Sequence, residues 1–273
     1  SDTVELHSSY KNNFWVVGSP DGKYGYYDRQ TISNYQWYKD HDYNYYRVYA
    51  LGEWGSIKTG GEFLYAFDSN KHIKTTHYIK GMPVHISIDN NVLPYISISF
   101  FQVDGSSIRQ FNEICASDPF NTVTQASKMA VDYLKSIKYN DMLYLYGDAS
   151  TRNGNTIDEE KRSFLDKFVE GLESDYHVEE RIPASNPSVP MSGEFVNYML
   201  DEGSGMSFSV DDGCKNSIVD YNNAKKDVNG GVLKKRVKDK ITGQSYERYG
   251  HLVDCLRYIT VWVFKDEYTR FSL

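Results

Sequence analysis

Three carboxylates and one imidazole in this sequence are placed to do chemistry: Asp89, Asp148, Asp254 and His251. Asp89 closes the run Val84-His85-Ile86-Ser87-Ile88, which alternates with the period of a strand. Asp148 closes Met142-Leu143-Tyr144-Leu145-Tyr146-Gly147, a near-continuous apolar run of the kind that forms a buried central strand. Asp254 falls in a helical pattern that starts at Gly250 and continues to about Phe264. Leu252, Leu256, Ile259 and Val263 mark its buried side. His251 precedes Asp254 by three residues, roughly 4.5 Å along a helix axis, so both occupy one face. Carboxylates brought together repel unless positive charge neutralises them. A cluster of oxygens suits Mg²⁺ or Mn²⁺ better than zinc. Two such ions roughly 4 Å apart can activate a water and stabilise the leaving oxygen of a phosphodiester. Taken singly, the same residues have plainer readings. An Asp at a strand end is commonly a turn former or helix cap, and a lone helical His is commonly structural.

The 273 residues carry 30 Lys+Arg and 37 Asp+Glu, a net charge of −7. Residues 213–250 hold nine basic and four acidic side chains, a local charge of +5 that leaves −12 for the rest. The overall charge speaks against nonspecific coating of nucleic acid. A basic ribbon on an acidic body still permits local phosphate contacts. A solvated lysine-rich surface is the alternative. With 40% hydrophobic and 25% charged residues, the composition is that of a globular chain able to bury a core. No apolar run approaches the roughly 20 residues that cross a bilayer. Residues 1–16 are polar and mixed, so no signal peptide is expected. The chain begins at Ser1-Asp2 without Met and reads as an excised fragment. Cys115, Cys214 and Cys255 are odd in number and contain no CxxC pair. That argues against a disulfide scaffold and a zinc site, and for a reducing compartment. Tyrosine is abundant at 24 copies, and ten of them fall in residues 10–50, as a packed or partner-facing aromatic surface would.

The elements that must position the candidate residues follow from periodicity and breakers. Residues 1–50 read as irregular and loop-rich. Gly18-Ser19-Pro20-Asp21-Gly22 is a turn cluster. Gly18 to Lys23 echoes a phosphate loop, but it is one residue short and no Ser or Thr follows the Lys, so it reads as a turn. Gly52-Glu53-Trp54-Gly55 and Gly60-Gly61-Glu62-Phe63 suggest a linker. Strands are expected at 84–89, 95–103 and 107–115, forming an antiparallel meander. Helix 122–137, strand 142–148, helix 157–172, strand 177–182, helix 193–200, strand 206–210 and helix 214–226 follow. Residues 232–248 read as a basic hairpin turning at Ile241-Thr242-Gly243-Gln244, before the last helix at 250–264. This order defines an α/β fold whose mixed sheet joins an antiparallel meander to parallel strands. Strand ends at a switch in such a sheet are where sites form.

Four blocks carry a resemblance to a known family. They are Tyr46-Arg47-Val48-Tyr49-Ala50-Leu51-Gly52-Glu53-Trp54-Gly55, Asp89-Asn90-Asn91-Val92-Leu93-Pro94, Tyr146-Gly147-Asp148-Ala149-Ser150, and Tyr249-Gly250-His251-Leu252-Val253-Asp254-Cys255-Leu256-Arg257-Tyr258. In this order they resemble the large terminase subunit of tailed bacteriophages, specifically its C-terminal nuclease domain. The last block is the most specific.

The resemblance implies an RNase H-like mixed β-sheet flanked by helices, with an auxiliary β-hairpin. Residues 1–72 would be the tail of an ATPase domain and a linker, and 73–273 the nuclease domain. It implies a metal-dependent endonuclease that cuts concatemeric viral double-stranded DNA when packaging starts and ends. Asp89, Asp148 and Asp254 would ligate two Mg²⁺ or Mn²⁺ ions, one between Asp89 and Asp254 and one between Asp89 and Asp148. His251 would neighbour the second metal. The hairpin would overhang the site and touch DNA, with Lys234, Lys235, Arg236, Lys238, Lys240 and, beyond Asp148, Arg152 as candidate DNA-binding residues. Glu113 on the third strand reads as a surface residue first and an accessory acid second.

The implied partners are viral DNA, the portal protein, the small terminase subunit and the ATPase domain of the full-length subunit. The implied location is the host cytoplasm, transiently at the procapsid portal and not in the mature virion. Cys255 stands where the family often has Ala, which should affect packing only. The sequence has no Walker A loop, so ATP-driven translocation is not expected of this chain. Two other readings remain: a non-catalytic DNA-binding or portal-docking module, and another RNase H-like nuclease such as a junction resolvase or transposase.

Overall fold

The structure is a computed structural model that describes residues 6–41, 45–52, 59–153, 162–238 and 243–273. It divides into two compact units, Ser1–Thr59 and Gly60–Leu273. The second unit begins ahead of the boundary after residue 72 that the sequence suggested.

In the first unit, helix α1 (Phe14–Val17) precedes helix α2 (Arg29–His41). The latter corrects the expectation of an irregular segment. Asp28 starts α2 by accepting hydrogen bonds from the Thr31 N–H (3.1 Å) and hydroxyl (2.7 Å). No residue of α2 is buried. Its sequence therefore has no apolar stripe to betray it, since core-facing helices are read by that stripe. Ring contacts hold it instead. Tyr35 lies 4.9 Å from Tyr10, and Trp37 stacks on His41 at 4.4 Å. Gly18–Gly22 is the expected turn, closed by the Gly22 N–H on the Ser19 carbonyl at 2.9 Å. Glu53, Trp54 and Gly55 lie outside the described residues.

The second unit is built on a seven-stranded sheet. After the short helix α3 (Ser69–His72) come β1 (Ile73–Lys74), β2 (Val84–Asp89), β3 (Tyr95–Asp104) and β4 (Ser107–Ser117). Helix α4 (Val123–Ser136), β5 (Leu143–Gly147), α5 (Phe164–Glu173) and β6 (Val178–Glu180) follow. Then come α6 (Val189–Leu200), β7 (Ser207–Asp211) and α7 (Lys215–Asn223). The separate hairpin of β8 (Arg236–Lys238) and β9 (Ser245–Glu247) leads to α8 (His251–Val263) and α9 (Lys265–Phe271). The sheet order is β1-β7-β4-β3-β2-β5-β6. The β2-β3-β4 meander is antiparallel, and every other neighbour pairs in parallel. This is the mixed α/β sheet that the sequence order required.

Helices cover both faces. Val84, Ile86 and Ile88 of β2 join Leu143, Leu145 and the apolar stripes of α4 and α5 in one core. The other core takes Phe63, Leu64 and Phe67 together with residues of α6, α7 and α8. Strand alternation then places Ser87 and Asp89 on the α8 side. Several elements differ in extent from expectation. Helix α6 starts at Val189 because Pro190 fits a first helical turn. The hairpin strands are three residues each, and the turn residues Ile241 and Thr242 lie outside the described residues, as do 154–161 before α5.

One buried acid fixes where α8 begins. Asp220 on α7 is 2% exposed. It accepts hydrogen bonds from the N–H groups of Gly250 (2.7 Å), Leu252 (2.8 Å) and Val253 (3.1 Å). A carboxylate here satisfies donors that every helix start leaves open and complements the helix dipole. Gly250 adopts φ +114°, and a Cβ there would lie 2.9 Å from Val232, so glycine is required. Asp220→Ala should therefore lower unfolding free energy by about 3 kcal/mol, because buried N–H groups lose their acceptor. Urea denaturation measures this, and an unchanged midpoint would refute the anchoring role.

Candidate active site

Strands β2 and β5 run side by side in parallel, with Ser87 opposite Tyr146 and Ile88 opposite Gly147. The next step of that register sets Asp89 beside Asp148, on one face at the strand ends. Gly147 permits the close approach, since a Cβ there would lie 2.9 Å from Ile88 Cγ1 and 3.1 Å from its carbonyl oxygen. Helix α8 lies across this face, tied down by the Ser87 hydroxyl, which donates to the Cys255 carbonyl at 2.7 Å. Asp89, Asp148, Asp254 and His251 then line one cavity of about 170 Å³, with Lys234 and Glu247 from the hairpin region.

Each acid is held by protein donors. Asp89 Oδ2 accepts from His251 Nδ1 at 2.9 Å, while His251 Nε2 reaches the Glu247 carbonyl at 2.9 Å. Burial alone would make His251 a weaker base. The hydrogen bond and charge of Asp89 outweigh it and push His251 up to about 9. His251 is thus an imidazolium donating from both ring nitrogens. The Asn91 side-chain amide lies 3.1 Å from its Nδ1. Asp148 accepts from Asn186 Nδ2 and the Tyr258 hydroxyl, both at 2.9 Å, and from the Ser150 N–H at 2.5 Å. Burial raises its pKa, but these hydrogen bonds win and hold it below the usual carboxylate range. Asp254 pairs with the Arg257 guanidinium, which is 1% exposed and also donates from Nε to Ser192 Oγ at 2.9 Å. Burial and the neighbouring Asp89 charge push Asp254 up against the pull of Arg257.

The donor set is made of oxygens, and Asp254 still feels the negative charge of Asp89. That chemistry fits a hard divalent cation. Among the described residues, no group of three or more His, Cys, Asp or Glu side chains is arranged to hold a metal ion. Asp89 and Asp254 instead face His251 and Arg257.

The other described sequence candidates fall in four places. Lys234 lines the cavity and pairs with Glu247 at 2.9 Å. Lys235, Arg236 and Lys238 are exposed along β8 and its approach, and Lys240 lies outside the described residues. Arg152 bonds the Ile182 carbonyl and Glu180, each at 3.1 Å, at the β6 side of the sheet. Glu113 is a helix cap. Its oxygens accept from the Asn216 and Ser217 N–H groups at 2.8 and 2.7 Å. Sequence reasoning missed Asp220, Asn186, Tyr258 and Arg257 as supports of the site. Tyr258 and Arg257 stand one turn beyond Asp254 on the same helix, a spacing that could have drawn attention. Asn186 sits in a loop with no such signal.

No family model matches the sequence, and none of the curated proteins matches it. Its fold is that of large terminase nuclease domains, an RNase H-like mixed sheet with a small added hairpin. The large terminase of a thermophilic bacteriophage superposes with a TM-score of 0.51 at 14% identity, over 85% of this chain. This chain spans about half, 51%, of that protein. The P22 large terminase nuclease domain superposes with a TM-score of 0.50 at 11% identity, over 77% of this chain and 94% of that domain.

The imidazolium sets a pH test. Its folded-state value lies above the unfolded one, so the stabilisation is complete below about 6.5 and disappears as pH rises through about 9. The melting-temperature gap between wild type and His251→Gln, measured in EDTA, should shrink between pH 7 and pH 10. A gap independent of pH would exclude the charged pair.

Proposed function

We propose that residues 73–273 are a metal-dependent DNA endonuclease domain of a phage packaging motor, with residues 1–72 the tail of an ATPase domain and its linker. The observation that carries this reading is the meeting of Asp89, Asp148 and Asp254 in one polar cavity. They come from two strand ends and a helix far apart in sequence. The fold likeness to terminase nucleases supports the same conclusion.

Asp89, Asp148 and Asp254 would hold two Mg²⁺ or Mn²⁺ ions, which supply Lewis acidity for hydrolysis of a phosphodiester. The chain's own residues do the positioning. His251 orients Asp89 through its Nδ1–H. Tyr258 and Asn186 each fix one oxygen of Asp148. Arg257 holds Asp254 while Ser192 holds Arg257. Lys234 presents an ammonium at the cavity, and Lys235, Arg236 and Lys238 extend the positive surface. Such cations bind backbone phosphates, so cutting should depend weakly on base sequence. The substrate is concatemeric viral double-stranded DNA, cut when packaging begins and ends. The portal protein, the small terminase subunit and the ATPase domain are the partners, in the host cytoplasm and transiently at the procapsid portal.

A second reading, a DNA-binding or portal-docking module without catalysis, is favoured by the ion pairs that engage Asp89 and Asp254. Supercoiled plasmid incubated with Mg²⁺, Mn²⁺ or EDTA separates the two. Metal-dependent nicking and linearisation, reduced about 100-fold or more by Asp148→Asn, is the expected result. DNA retention by a folded protein with no cutting in either metal would establish the binding module instead.

A further inference from the structure

A second cavity opens on the far side of Asp148. It measures about 320 Å³ and lies between the loop after β6 and the junction of α8 with α9. Its walls include Gly147, Asn186 and Tyr258. The last two are the side chains that hold Asp148, so these hydrogen bonds link the second cavity to the first, although no residue lines both. Their chemistry differs. The first is rich in carboxylates, whereas no Asp or Glu lines the second.

The second cavity is lined instead by Tyr258, Trp262 and Tyr268, with Arg181 and Lys265. Helical periodicity explains the array: Tyr258 and Trp262 are one turn apart on α8, and Lys265 and Tyr268 stand one turn apart on α9. Lys265 Nζ lies 5.7 Å from the Trp262 ring. The Arg181 guanidinium packs 3.7 Å from the Tyr144 ring centroid and donates to the Tyr146 hydroxyl at 3.1 Å, so it is fixed in place. Glu179 offsets some of its charge from outside the cavity. Aromatic faces flanked by cations suit a ligand with a flat ring and a phosphate.

We propose that this cavity seats an unpaired nucleotide of a DNA strand, its base against Trp262 and its phosphate toward Lys265. A duplex cannot present a base face to a side wall, so the occupant is a frayed or single-stranded end beside Asp148. Only the identity of that strand as a cleavage substrate or product rests on the nuclease reading.

Binding in EDTA tests the cavity without cutting. A fluorescent oligo-dT should bind the whole chain and quench Trp fluorescence. Lys265→Glu, an exposed change, and Trp262→Ala should each weaken it about 5- to 100-fold. Trp262→Phe should retain most affinity but lose the quench. Affinity for a blunt duplex should stay within about twofold. Circular dichroism checks each fold, and Lys265→Glu decides the matter if Trp262→Ala unfolds. Unchanged oligo-dT affinity in folded variants overturns the proposal, as does a parallel loss for duplex. Equal competition by dTMP at matched nucleotide concentration also overturns it, since the cavity would then take a free nucleotide. A protein that binds oligo-dT as expected but never cuts plasmid would keep this site and lose the nuclease.

Discussion

Helix α8 starts inside the protein, where water cannot reach its first N–H groups, and the Asp220 carboxylate is what they donate to. A buried carboxylate is costly to desolvate, and here burial raises Asp220 to about 6. The helix start supplies three donors and a favourable dipole in return. Because α8 carries His251, Asp254, Arg257 and Tyr258, its axial position sets four residues of the site together. Glu113 has the same role a layer further out, capping α7 and so holding the element that bears Asp220. Two acids without catalytic contact thus place those that line the cavity.

The sheet supplies the other coordinate. Parallel register between β2 and β5 aligns Asp89 with Asp148, and Gly147 lets the strands close up. Cores on both faces leave β2 buried throughout and β5 buried except at the half-buried Tyr144, which makes register slips expensive. The strand ends are therefore rigid supports, and the side chains on them are free to be polar.

Charge in the cavity is balanced by proximity. Asp89 faces an imidazolium, Asp254 a buried guanidinium, and Asp148 a set of neutral donors. Three acids can then sit together in a protein of net charge −7 without unfolding it. The same pairs would have to be re-formed around any cation that entered. Beyond the Asn186 and Tyr258 that hold Asp148, the lining has rings and cations and no acid, so two surfaces of opposite character are linked through those hydrogen bonds.

Local pattern carried much of this in advance. A period-two run marked β2, a β-rich run marked β3, a continuous apolar run marked β5, and an apolar stripe marked α8. Each of those signals is a short-range consequence of which face is buried. The acids at their ends were legible for the same reason, and so was the mixed sheet. Helix α2 was not legible, because it buries nothing and so leaves no stripe. Nor was Asp220, whose partners lie 30 or more residues away along the chain, or Asn186, which meets Asp148 only through loop closure. The sequence determined which residues could act and on which elements they ride. Tertiary structure alone decided which donors hold them, because hydrogen bonds between distant segments obey no periodicity.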